Sequence, residues 1–491
     1  MNESLDTISV RPEAAIRDAM LAIDRGSVEI ALVVDHDRRL LGTVSDGDIR
    51  RALLKGARLD DAVSSFMTRS PQVVSADVSR GAVLELMRAR SLSQIPVVDA
   101  DGRVTGLHVM QEMLVPLAVP FLGENAHRYV RECLDTNFVS SVGPFVDRFE
   151  REFGTFVGSE HAVACASGTA AIHVALQLLG AGPGDEVAVS TFTFIASANA
   201  VTYTGATPLL VDSEPRTWNM DTQRLRDEIE RRAKAGERLP AVIEVVHLLG
   251  HPAEMEPLLD VRERFGIPIV EDAAEALGAT YVDGPLAGRQ VGTLGDIGCF
   301  SFNGNKIVTT GGGGMLVTNE AKLSTRARHL TTQAKLPGRG YLHDEIGYNY
   351  RLTNIAAALG VAQLEQLDRF LEAKRARARR YREGLEGAPC TPPPHEPWAN
   401  PSFWLYTVLL TDDAPPRDRV LDDLNAAGVQ ARPIWAPVHQ QGPYVDAPRL
   451  GGAVADRLYE RGISLPSSVD LSKDDQDWVV LCMRSALRRV E

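Results

Sequence analysis

Short apolar segments alternate with amphipathic helical patterns after residue 116, and this alternation restricts the chain to few folds. Four of the segments are rich in branched residues, namely Val187–Ser190, Pro208–Asp212, Ala241–His247 and Ile267–Asp272. Helical patterns such as Asp221–Ala235 and Met255–Phe265 separate several of them. Strands that are apolar on both faces and are connected through helices form parallel sheets covered by helices. The pattern therefore predicts an α/β fold with a mostly parallel sheet.

The N-terminal part of the chain contains an internal repeat. The run Ile30–Asp35 recurs as Ile95–Asp99, and a glycine follows each run, so that the matched aspartates and glycines lie 64 residues apart. Helical patterns precede both copies, at Ala14–Asp24 and Arg80–Arg90. One copy of about 60 residues is too small to bury a sufficient core alone. We therefore expect the two copies to pack together as one module.

Local composition divides the chain into three predicted domains, residues 1–115, 116–370 and 371–491. Prolines at positions 116 and 120 make helix continuation unfavourable at the first boundary. A helical pattern near residues 365–385 and the proline-rich run Thr391–Pro394 precede the last part of the chain. For this last part we predict a smaller C-terminal α/β domain.

Charge and composition exclude several classes of protein. The formal net charge is −13, and the one dense basic run, Lys374–Arg380, fits the solvated face of an amphipathic helix, so nucleic-acid binding is not expected. No stretch approaches the roughly 20 apolar residues of a membrane helix, and the polar, acidic start of the chain is unlike a signal peptide. The five scattered cysteines fit reduced thiols. We predict a cytoplasmic protein without membrane insertion.

A helical pattern that ends at Gly180 begins with three residues suited to bind phosphate. Ser167, Gly168 and Thr169 open this pattern. The first turn of a helix presents free N–H groups and the positive end of the helix dipole, which stabilise a phosphate. The same residues also make an ordinary helix N-cap. The motif alone leaves both interpretations open.

Asp272 ends one of the apolar runs, at the sheet edge where open α/β folds bind ligands. A carboxylate there could hold the N–H of a pyridinium ring and keep that ring cationic. An aspartate in this position could equally cap a following helix. The strand alone does not decide between these roles.

The segment Gly298–Thr318 places Lys306 among small and polar residues between two apolar strands. Such a lysine is poorly placed as a surface charge, and partial burial lowers the pKa of an amine towards its reactive form. Gly311–Gly314 could let the backbone turn tightly beside a flat ring. A phosphate-binding P-loop needs Gly-Lys-Ser/Thr after its glycines, and the order here is reversed. The segment therefore favours a reactive amine over nucleotide hydrolysis.

Together these motifs resemble the DegT/DnrJ/EryC1/StrS family of sugar aminotransferases, which are fold-type I enzymes that use pyridoxal 5′-phosphate (PLP). The resemblance covers the chain from about residue 115 onward and implies a mostly parallel sheet with a smaller C-terminal α/β domain. It implies that Lys306 forms the Schiff base with PLP and that Asp272 binds the pyridine nitrogen. The other residues implied to bind the cofactor are Ser167, Gly168, Thr169, Phe194, Glu275, Ser301 and Asn349.

The resemblance also implies partners. Gly347–Asn354 corresponds to the segment that enters the neighbouring subunit's site, which implies a homodimer or larger homo-oligomer with shared active sites. The implied substrates are a nucleotide-linked sugar and glutamate, and the candidate substrate contacts are His247, Arg432 and His439. No metal site is expected, because His247 and His251 follow a strand in a bent loop that would not hold helical ligand spacing.

The run Asn303–Gly314 is most similar to the subgroup that makes 4-amino sugars for bacillosamine or legionaminic acid. The expected acceptor is therefore UDP-2-acetamido-4-keto-6-deoxyhexose, for surface-glycan or nonulosonic-acid biosynthesis. Three alternatives remain open. These are an aminotransferase for a GDP-linked 4-keto sugar, a PLP sugar dehydratase in which the Schiff-base lysine is usually replaced, and a nucleotide-sensing regulatory protein with an inactive catalytic domain.

The N-terminal repeat resembles a tandem CBS (Bateman) domain, so that the expected chain is a CBS pair followed by the aminotransferase. The resemblance implies that Ser45 and Asp48, within Gly42–Arg51, bind the ribose of an adenosine nucleotide. The second copy has Val109 and Glu112 at the matching places, so at most one such site is expected. A sugar nucleotide is the other candidate ligand, and a purely structural or dimerising module is the alternative.

Overall fold

The computed structural model describes residues 2–338 and 340–488. The chain divides into two compact units, Met1–Val115 with Asp422–Gln430, and Pro116–Leu421 with Ala431–Glu491. The segment Asp422–Gln430, which was expected in the C-terminal domain, thus belongs to the first unit. The boundary between residues 116–370 and 371–491 stays a prediction, because both ranges contribute to the second unit.

In the first unit the two copies of the repeat share a core of one strand, one helix and two further strands. The first copy contains α1 (Asn2–Thr7), β1 (Ser9–Val10), α2 (Ile16–Gly26), β2 (Ile30–Val34), β3 (Leu40–Ser45) and α3 (Asp46–Leu54). The second copy contains β4 (Val74–Ser75), α4 (Arg80–Arg90), β5 (Gln94–Val98) and β6 (Val104–Val109). In each copy the middle strand pairs in parallel with a two-residue strand and antiparallel with the next strand. The shared topology agrees with the sequence repeat.

After residue 116 the chain forms fourteen named strands and twelve α-helices among the described residues, and strands alternate with helices from β7 to β11. The strands are β7 (His161–Cys165), β8 (Glu186–Ser190), β9 (Thr207–Val211), β10 (Val242–Val246), β11 (Ile269–Asp272), β12 (Thr280–Tyr281), β13 (Ile297–Ser301), β14 (Gly314–Thr318), β15 (Cys390–Thr391), β16 (Ala399–Asn400), β17 (Tyr406–Leu410), β18 (Arg432–Pro433), β19 (Arg449–Leu450) and β20 (Gly462–Leu465). The helices are α5 (Glu124–Asp135), α6 (Pro144–Val157), α7 (Gly168–Leu178), α8 (Ala196–Tyr203), α9 (Thr222–Ala235), α10 (Glu256–Phe265), α11 (Ala321–Thr331), α12 (Asn354–Leu364), α13 (Leu367–Gly384), α14 (Arg417–Ala426), α15 (Ala453–Arg461) and α16 (Lys473–Ala486).

The main sheet has eight strands in the order β19-β9-β8-β10-β11-β13-β14-β7. The pairs from β19 to β13 are parallel, and the last two pairs are antiparallel. Alternate residues of β10 enter different apolar cores, because Ile243 and Val245 pack in one and Val242 in the other. Both faces are therefore covered, as expected for a parallel sheet joined through helices. The predicted fold class is confirmed.

A second, antiparallel sheet with the order β15-β17-β20-β18 lies in the C-terminal part of the second unit. The long helix α13 carries the basic run that begins at Lys374. The expectation of a wholly solvated basic face is wrong at that residue, since Lys374 is buried.

The structure also bears on two predictions made from composition, that the chain has no membrane helix and that its cysteines are reduced. Within residues 2–338 and 340–488, the helices are all too short or too polar to span a bilayer. The five cysteines are reduced thiols, and all except Cys390 are buried.

Candidate active site

A cavity of about 230 Å³ lies beyond the C-terminal end of β11 and the start of α7. Residues from several separate segments line it, namely Ser167, Gly168, Thr169, Ile172, Thr193, Phe194, Ala196, Ser197, Asp272, Ala274, Glu275, Ser301, Asn303, Asn305, Lys306, Gly312, Gly313, Trp404 and Trp435. The fold therefore brings together three motifs that are far apart in sequence. The position of the cavity agrees with the rule that open α/β sheets bind ligands beyond the carboxyl ends of their strands.

Lys306 follows β13 and points an amine into this cavity. Its Nζ lies 3.7 Å from Glu275 Oε1 and 3.7 Å from the centroid of the Trp404 ring. Burial lowers the pKa of this amine, although the nearby carboxyl groups of Glu275 and Asp272 oppose the shift. A lower pKa increases the neutral fraction at physiological pH, and the neutral amine is the nucleophile.

Glu275 is buried next to this amine, and one of its oxygens is fixed by the backbone. Oε2 accepts a hydrogen bond from the N–H of Leu249 at 2.8 Å, while Oε1 faces Lys306. Burial raises the pKa of Glu275 to about 7, with Lys306 acting in the opposite direction. Burial thus disfavours the charged form of both partners, so the pair can hold or release a proton near neutral pH.

Asp272 is buried at the end of β11 and lines the same cavity. Its Oδ2 accepts a hydrogen bond from Ser197 Oγ at 2.9 Å, and its Oδ1 accepts from the Ala274 N–H at 3.0 Å. Burial raises the pKa of this carboxyl, and the two hydrogen bonds and Lys306 oppose the shift. The alternative role as a helix N-cap is wrong, because residues 273–279 form turns.

The start of α7 combines a helix N-cap with a polar cavity wall. Ser167 is the N-cap, and its Oγ accepts a hydrogen bond from the Ala170 N–H at 3.1 Å. A Cβ at Gly168 would lie 2.8 Å from the Cβ of Ser301, so only glycine allows this approach of α7 to β13. Thr169 and Ser301, which both carry hydroxyl groups, also line the cavity. Both interpretations of the motif therefore hold together, since a capped helix start faces the cavity.

Two of the three candidate substrate contacts, His247 and His439, are buried and do not line the cavity. His247 has 0% exposure, and its two ring nitrogens bind Glu271 Oε2 at 2.9 Å and the Ala253 N–H at 3.0 Å. His439 is likewise buried between Thr191 Oγ1 and Asp456 Oδ1, at 2.7 and 2.9 Å. The roles of these two histidines as direct substrate contacts are corrected, because their polar atoms are used inside the protein.

The remaining predicted residues lie at the surface of the second unit. Phe194 lines the cavity with its ring half exposed. Arg432 is exposed in β18, and Asn349 is exposed in a segment that bridges to Thr332. Neither Arg432 nor Asn349 lines the cavity of its own chain, so their roles stay predictions.

Sequence reasoning missed the aromatic part of the wall. Trp404 and Trp435 stack at 6.0 Å with an interplanar angle of 14°, and Trp435 meets Phe194 edge to face at 6.2 Å. Trp435 lies in the segment between Arg432 and His439, the two candidate substrate contacts of this region. Trp404 stands about 100 residues from Lys306 and has no motif around it.

In the first unit, Ser45 and Asp48 bind each other at the start of α3. Ser45 Oγ donates to Asp48 Oδ2 at 2.8 Å, the Ser45 N–H donates to the same oxygen at 2.9 Å, and Arg51 binds Oδ1 at 2.6 Å. Burial would raise the pKa of Asp48, but these hydrogen bonds lower it overall. This arrangement is a helix capping box. A nucleotide ribose would have to replace part of it, so the ligand role stays a prediction.

The buried carboxyl group of Glu244 should make the stability of the folded chain depend on pH. Glu244 on β10 has 0% exposure, and neither carboxyl oxygen has a hydrogen-bond partner among the described residues. Burial, with Asp272 adding, raises its pKa well above the ordinary value. A raised folded-state pKa means that the stability contribution is complete below the unfolded pKa and is lost as pH rises towards the folded pKa. Glu244→Gln removes this loss. The Tm of the variant minus the Tm of wild type should therefore increase by about 2 °C or more as the pH is raised from about 5 to about 8.

Glu271 on the neighbouring strand is the matched control. Its carboxylate binds His247 and accepts hydrogen bonds from the N–H groups of Gly292, Leu294 and Gly295. Burial opposes ionisation, but these bonds lower its pKa. Glu271→Gln should therefore lower Tm, as measured by differential scanning calorimetry. A Tm difference for Glu244→Gln that does not change with pH would refute the neutral state of Glu244.

The chain is similar to known proteins over nearly its whole length. Residues 120–484 match the DegT/DnrJ/EryC1/StrS aminotransferase family, and residues 1–55 and 63–107 match the CBS domain. A GDP-perosamine synthase of Caulobacter vibrioides is 43% identical over 376 residues, which cover 76% of this chain and 98% of the relative. A GDP-perosamine synthase of Escherichia coli O157:H7 is 39% identical over 73% of this chain and 95% of its own length. The crystal structure of a DegT DnrJ EryC1 StrS aminotransferase from Brucella abortus superposes with a TM-score of 0.69 at 31% identity, over 74% of this chain and 96% of that chain.

Proposed function

The chain belongs to the DegT/DnrJ/EryC1/StrS aminotransferase family, and we propose that it transfers an amino group from glutamate to a GDP-linked 4-keto-6-deoxy sugar. Amino transfer to a nucleotide-linked sugar is the activity of the group of relatives to which it belongs. The observation that supports this function most directly is the buried amine of Lys306, which shares one cavity with Asp272 and the start of α7. The identity of the sugar and of the nucleotide is the specific part of the proposal.

PLP is the cofactor of the enzyme, and the residues around the cavity fit it. The start of α7 and the hydroxyls of Thr169 and Ser301 can bind a phosphate. Gly168 leaves free the space that a Cβ would fill within 2.8 Å of Ser301. A carboxyl for the ring nitrogen and an amine for the aldehyde are present in Asp272 and Lys306.

Each group of residues receives a role in this proposal. Lys306 is the lysine that binds the aldehyde, Asp272 binds the pyridine nitrogen, and Phe194 packs on the ring. Glu275 lies beside the amine and completes the acid–base pair. The phosphate is held by Ser167, Gly168, Thr169 and Ser301, and by Asn349 of a second subunit.

When bound, PLP supplies an aldehyde that reacts with amines and a ring that withdraws electrons from the carbon bearing the amino group. Lys306 Nζ accepts the Cα proton of glutamate and later donates a proton to the sugar carbon that receives the amine. Glu275 Oε1 lies 3.7 Å from Lys306 Nζ, and its pKa of about 7 lets this carboxyl group be charged or neutral beside the amine near physiological pH. The ring of Trp404 covers one side of the amine, and Trp435 stacks on that ring.

The choice of a GDP-linked acceptor rests on the relatives. The two GDP-perosamine synthases match nearly their whole length to this chain. This favours the alternative with a GDP-linked sugar over the UDP-2-acetamido sugar expected from the glycine-run similarity. The dehydratase alternative is disfavoured because the Schiff-base lysine, Lys306, is present in the cavity. The inactive-domain alternative is disfavoured because Asp272, Ser301 and Lys306 are all in place around it.

A comparison of two acceptors tests the proposal. The PLP-loaded enzyme is incubated with glutamate and either a GDP-linked or a UDP-2-acetamido 4-keto-6-deoxyhexose, and the amino sugar is quantified by mass spectrometry and assigned by NMR. We expect kcat/KM to favour the GDP-linked sugar by about 100-fold or more, because polar groups shaped for one substrate are left unpaired by another. A control without glutamate should give no amino sugar.

Two results would contradict the proposal. A preference for the UDP-linked sugar would instead support the acceptor expected from the similarity of Asn303–Gly314, UDP-2-acetamido-4-keto-6-deoxyhexose. Failure to aminate either sugar would favour the dehydratase or the inactive-domain alternative.

The remaining parts of the proposal concern partners and location. A homodimer or larger homo-oligomer is proposed, because Asn349 is exposed and lies outside the cavity of its own chain. The CBS pair is proposed to bind one adenosine nucleotide or sugar nucleotide near Ser45 and Asp48. Reaction in the cytoplasm, for the synthesis of a surface-glycan sugar, completes the proposal.

A further inference from the structure

Lys374 on α13 is a buried lysine that does not line the cavity. The residue is 5% exposed, and Nζ donates hydrogen bonds to the backbone carbonyls of Trp404 at 2.8 Å and Ser467 at 2.6 Å. Burial of an amine costs free energy unless its N–H groups are bonded. An apolar side chain would be the usual choice at a buried position of an amphipathic helix. A lysine at this position is therefore best explained by the two backbone carbonyls that it binds, those of Trp404 and Ser467.

One of these carbonyls belongs to a residue in contact with the reacting amine. The ring of Trp404 lies over Lys306, with 3.7 Å between Nζ and the ring centroid. Its Nε1–H donates to the carbonyl of Asn305, the neighbour of Lys306, at 2.7 Å. Trp404 is thus held on its backbone side by Lys374 and on its ring side by the lysine loop.

The backbone turn at Phe403 and Trp404 is strained and crowded, so other contacts must hold the Trp404 ring over Lys306. Phe403 has a φ of 50°, in the left-handed region that residues with a Cβ rarely adopt. A Cβ on Gly250 would lie 3.0 Å from the Phe403 nitrogen and 3.1 Å from the Trp404 nitrogen, so the neighbouring loop presses closely against this turn. A strained and crowded turn persists only where surrounding contacts hold it. The hydrogen bond from Lys374 is such a contact.

We infer that Lys374 is a positioning residue for Lys306, which fixes Trp404 so that its ring shields the Lys306 amine from water. The inference rests on the proposed function, because it takes Lys306 as the reacting amine. Trp435, which stacks on Trp404, extends the same shield.

The link does not depend on the charge of Lys374. Burial, with Arg377 adding, lowers the pKa of Lys374 to about 7. A neutral amine still carries two N–H groups, and Lys374 has two carbonyl acceptors. Both protonation states can therefore hold Trp404, and the shield should persist on either side of neutral pH.

Competitive labelling of lysines in the cofactor-free full chain tests the inference. The protein is labelled with trace acetic anhydride over a pH series, and peptide mass spectrometry gives the pH midpoint at which Lys306 becomes reactive. In Lys374→Met, water should reach Lys306 and its midpoint should rise by about one pH unit, since desolvation of the amine is lost. Lys374→Arg keeps N–H donors, so its Lys306 midpoint should lie between those of Lys374→Met and wild type.

Arg377→Met is the matched control. Arg377 lies on the same helix and donates to the carbonyl of Leu471 at 2.7 Å, away from Trp404. Its loss should leave the Lys306 midpoint unchanged. An unchanged midpoint in folded Lys374→Met would overturn the inference, and so would an equal rise in Arg377→Met.

A second variant tests the same link from its other end. Trp404→Phe removes the bond to Asn305 and part of the ring, and it should also raise the midpoint. If circular dichroism shows that Lys374→Met does not fold, a wild-type midpoint in Trp404→Phe overturns the inference. Labelling requires no substrate, so a shifted midpoint in a protein that aminates no sugar would reject the proposed function and support the positioning role.

Discussion

Replacement of Lys306 by alanine is expected to lower the rate of amino-sugar formation by roughly 10⁴-fold or more. The variant loses both the amine that binds the cofactor aldehyde and the group that moves the proton. No other lysine lines the cavity among the described residues, so no second amine can substitute. The measurement is the initial rate of amino-sugar release from glutamate and the GDP-linked keto sugar, with PLP in excess.

Two variants make this result specific. Lys306→Arg keeps a positive charge but carries a guanidinium, which stays protonated and cannot act as a neutral nucleophile, so it should be equally inactive. Lys322→Ala removes an exposed lysine on α11 and should retain the wild-type rate. More than about one per cent of the wild-type rate in Lys306→Ala would show that another residue carries the chemistry.

The main sheet could be predicted because its central strands are buried on both faces. Such strands need apolar residues at nearly every position, which distinguishes them in sequence from helices with one apolar face. The helix predicted at Arg80–Arg90 has those bounds in the structure. The two-residue strands β12 and β19 carry no such pattern, because they are defined only by pairing with distant segments.

The polar residues that line the cavity could be predicted in part. Ser167 caps α7, Asp272 ends β11 and Lys306 lies in the loop after β13. The resemblance to the aminotransferase family assigned all three to one site, and in the folded chain they line one cavity. Trp404 could not be predicted, because its place over Lys306 depends on a turn at Phe403 and on a hydrogen bond from Lys374. Only the folded chain brings these contacts together.

The errors have a common physical origin. His247 and His439 are polar residues in segments near the cavity, which is also true of substrate ligands. In the folded chain their ring nitrogens bind Glu271 and Asp456 instead. A buried histidine with internal partners and a histidine that binds substrate require the same residue type, and neighbouring letters do not distinguish them.

Replacement of Asp272 by asparagine is expected to lower the amination rate by roughly 10³-fold while the protein remains folded. The carboxylate is proposed to bind the N–H of the pyridine ring, and its negative charge keeps that nitrogen protonated. Asparagine has nearly the same shape but no charge. It can still accept the Ala274 N–H and pair with the Ser197 hydroxyl, so the two local contacts at 3.0 and 2.9 Å can persist.

The effect on stability separates charge from structure in this variant. Burial raises the pKa of Asp272, which means that the folded protein without cofactor disfavours its ionised form. Removal of the charge should therefore leave the Tm of the cofactor-free chain unchanged or raise it, although activity falls. Ser197→Ala keeps the charge and removes one hydrogen bond, so its rate should fall only about 10-fold. If Asp272→Asn aminates the sugar within about 10-fold of wild type, Asp272 does not serve the cofactor through its charge, and the polar wall at Ser197 and Thr193 would have to bind the ring instead.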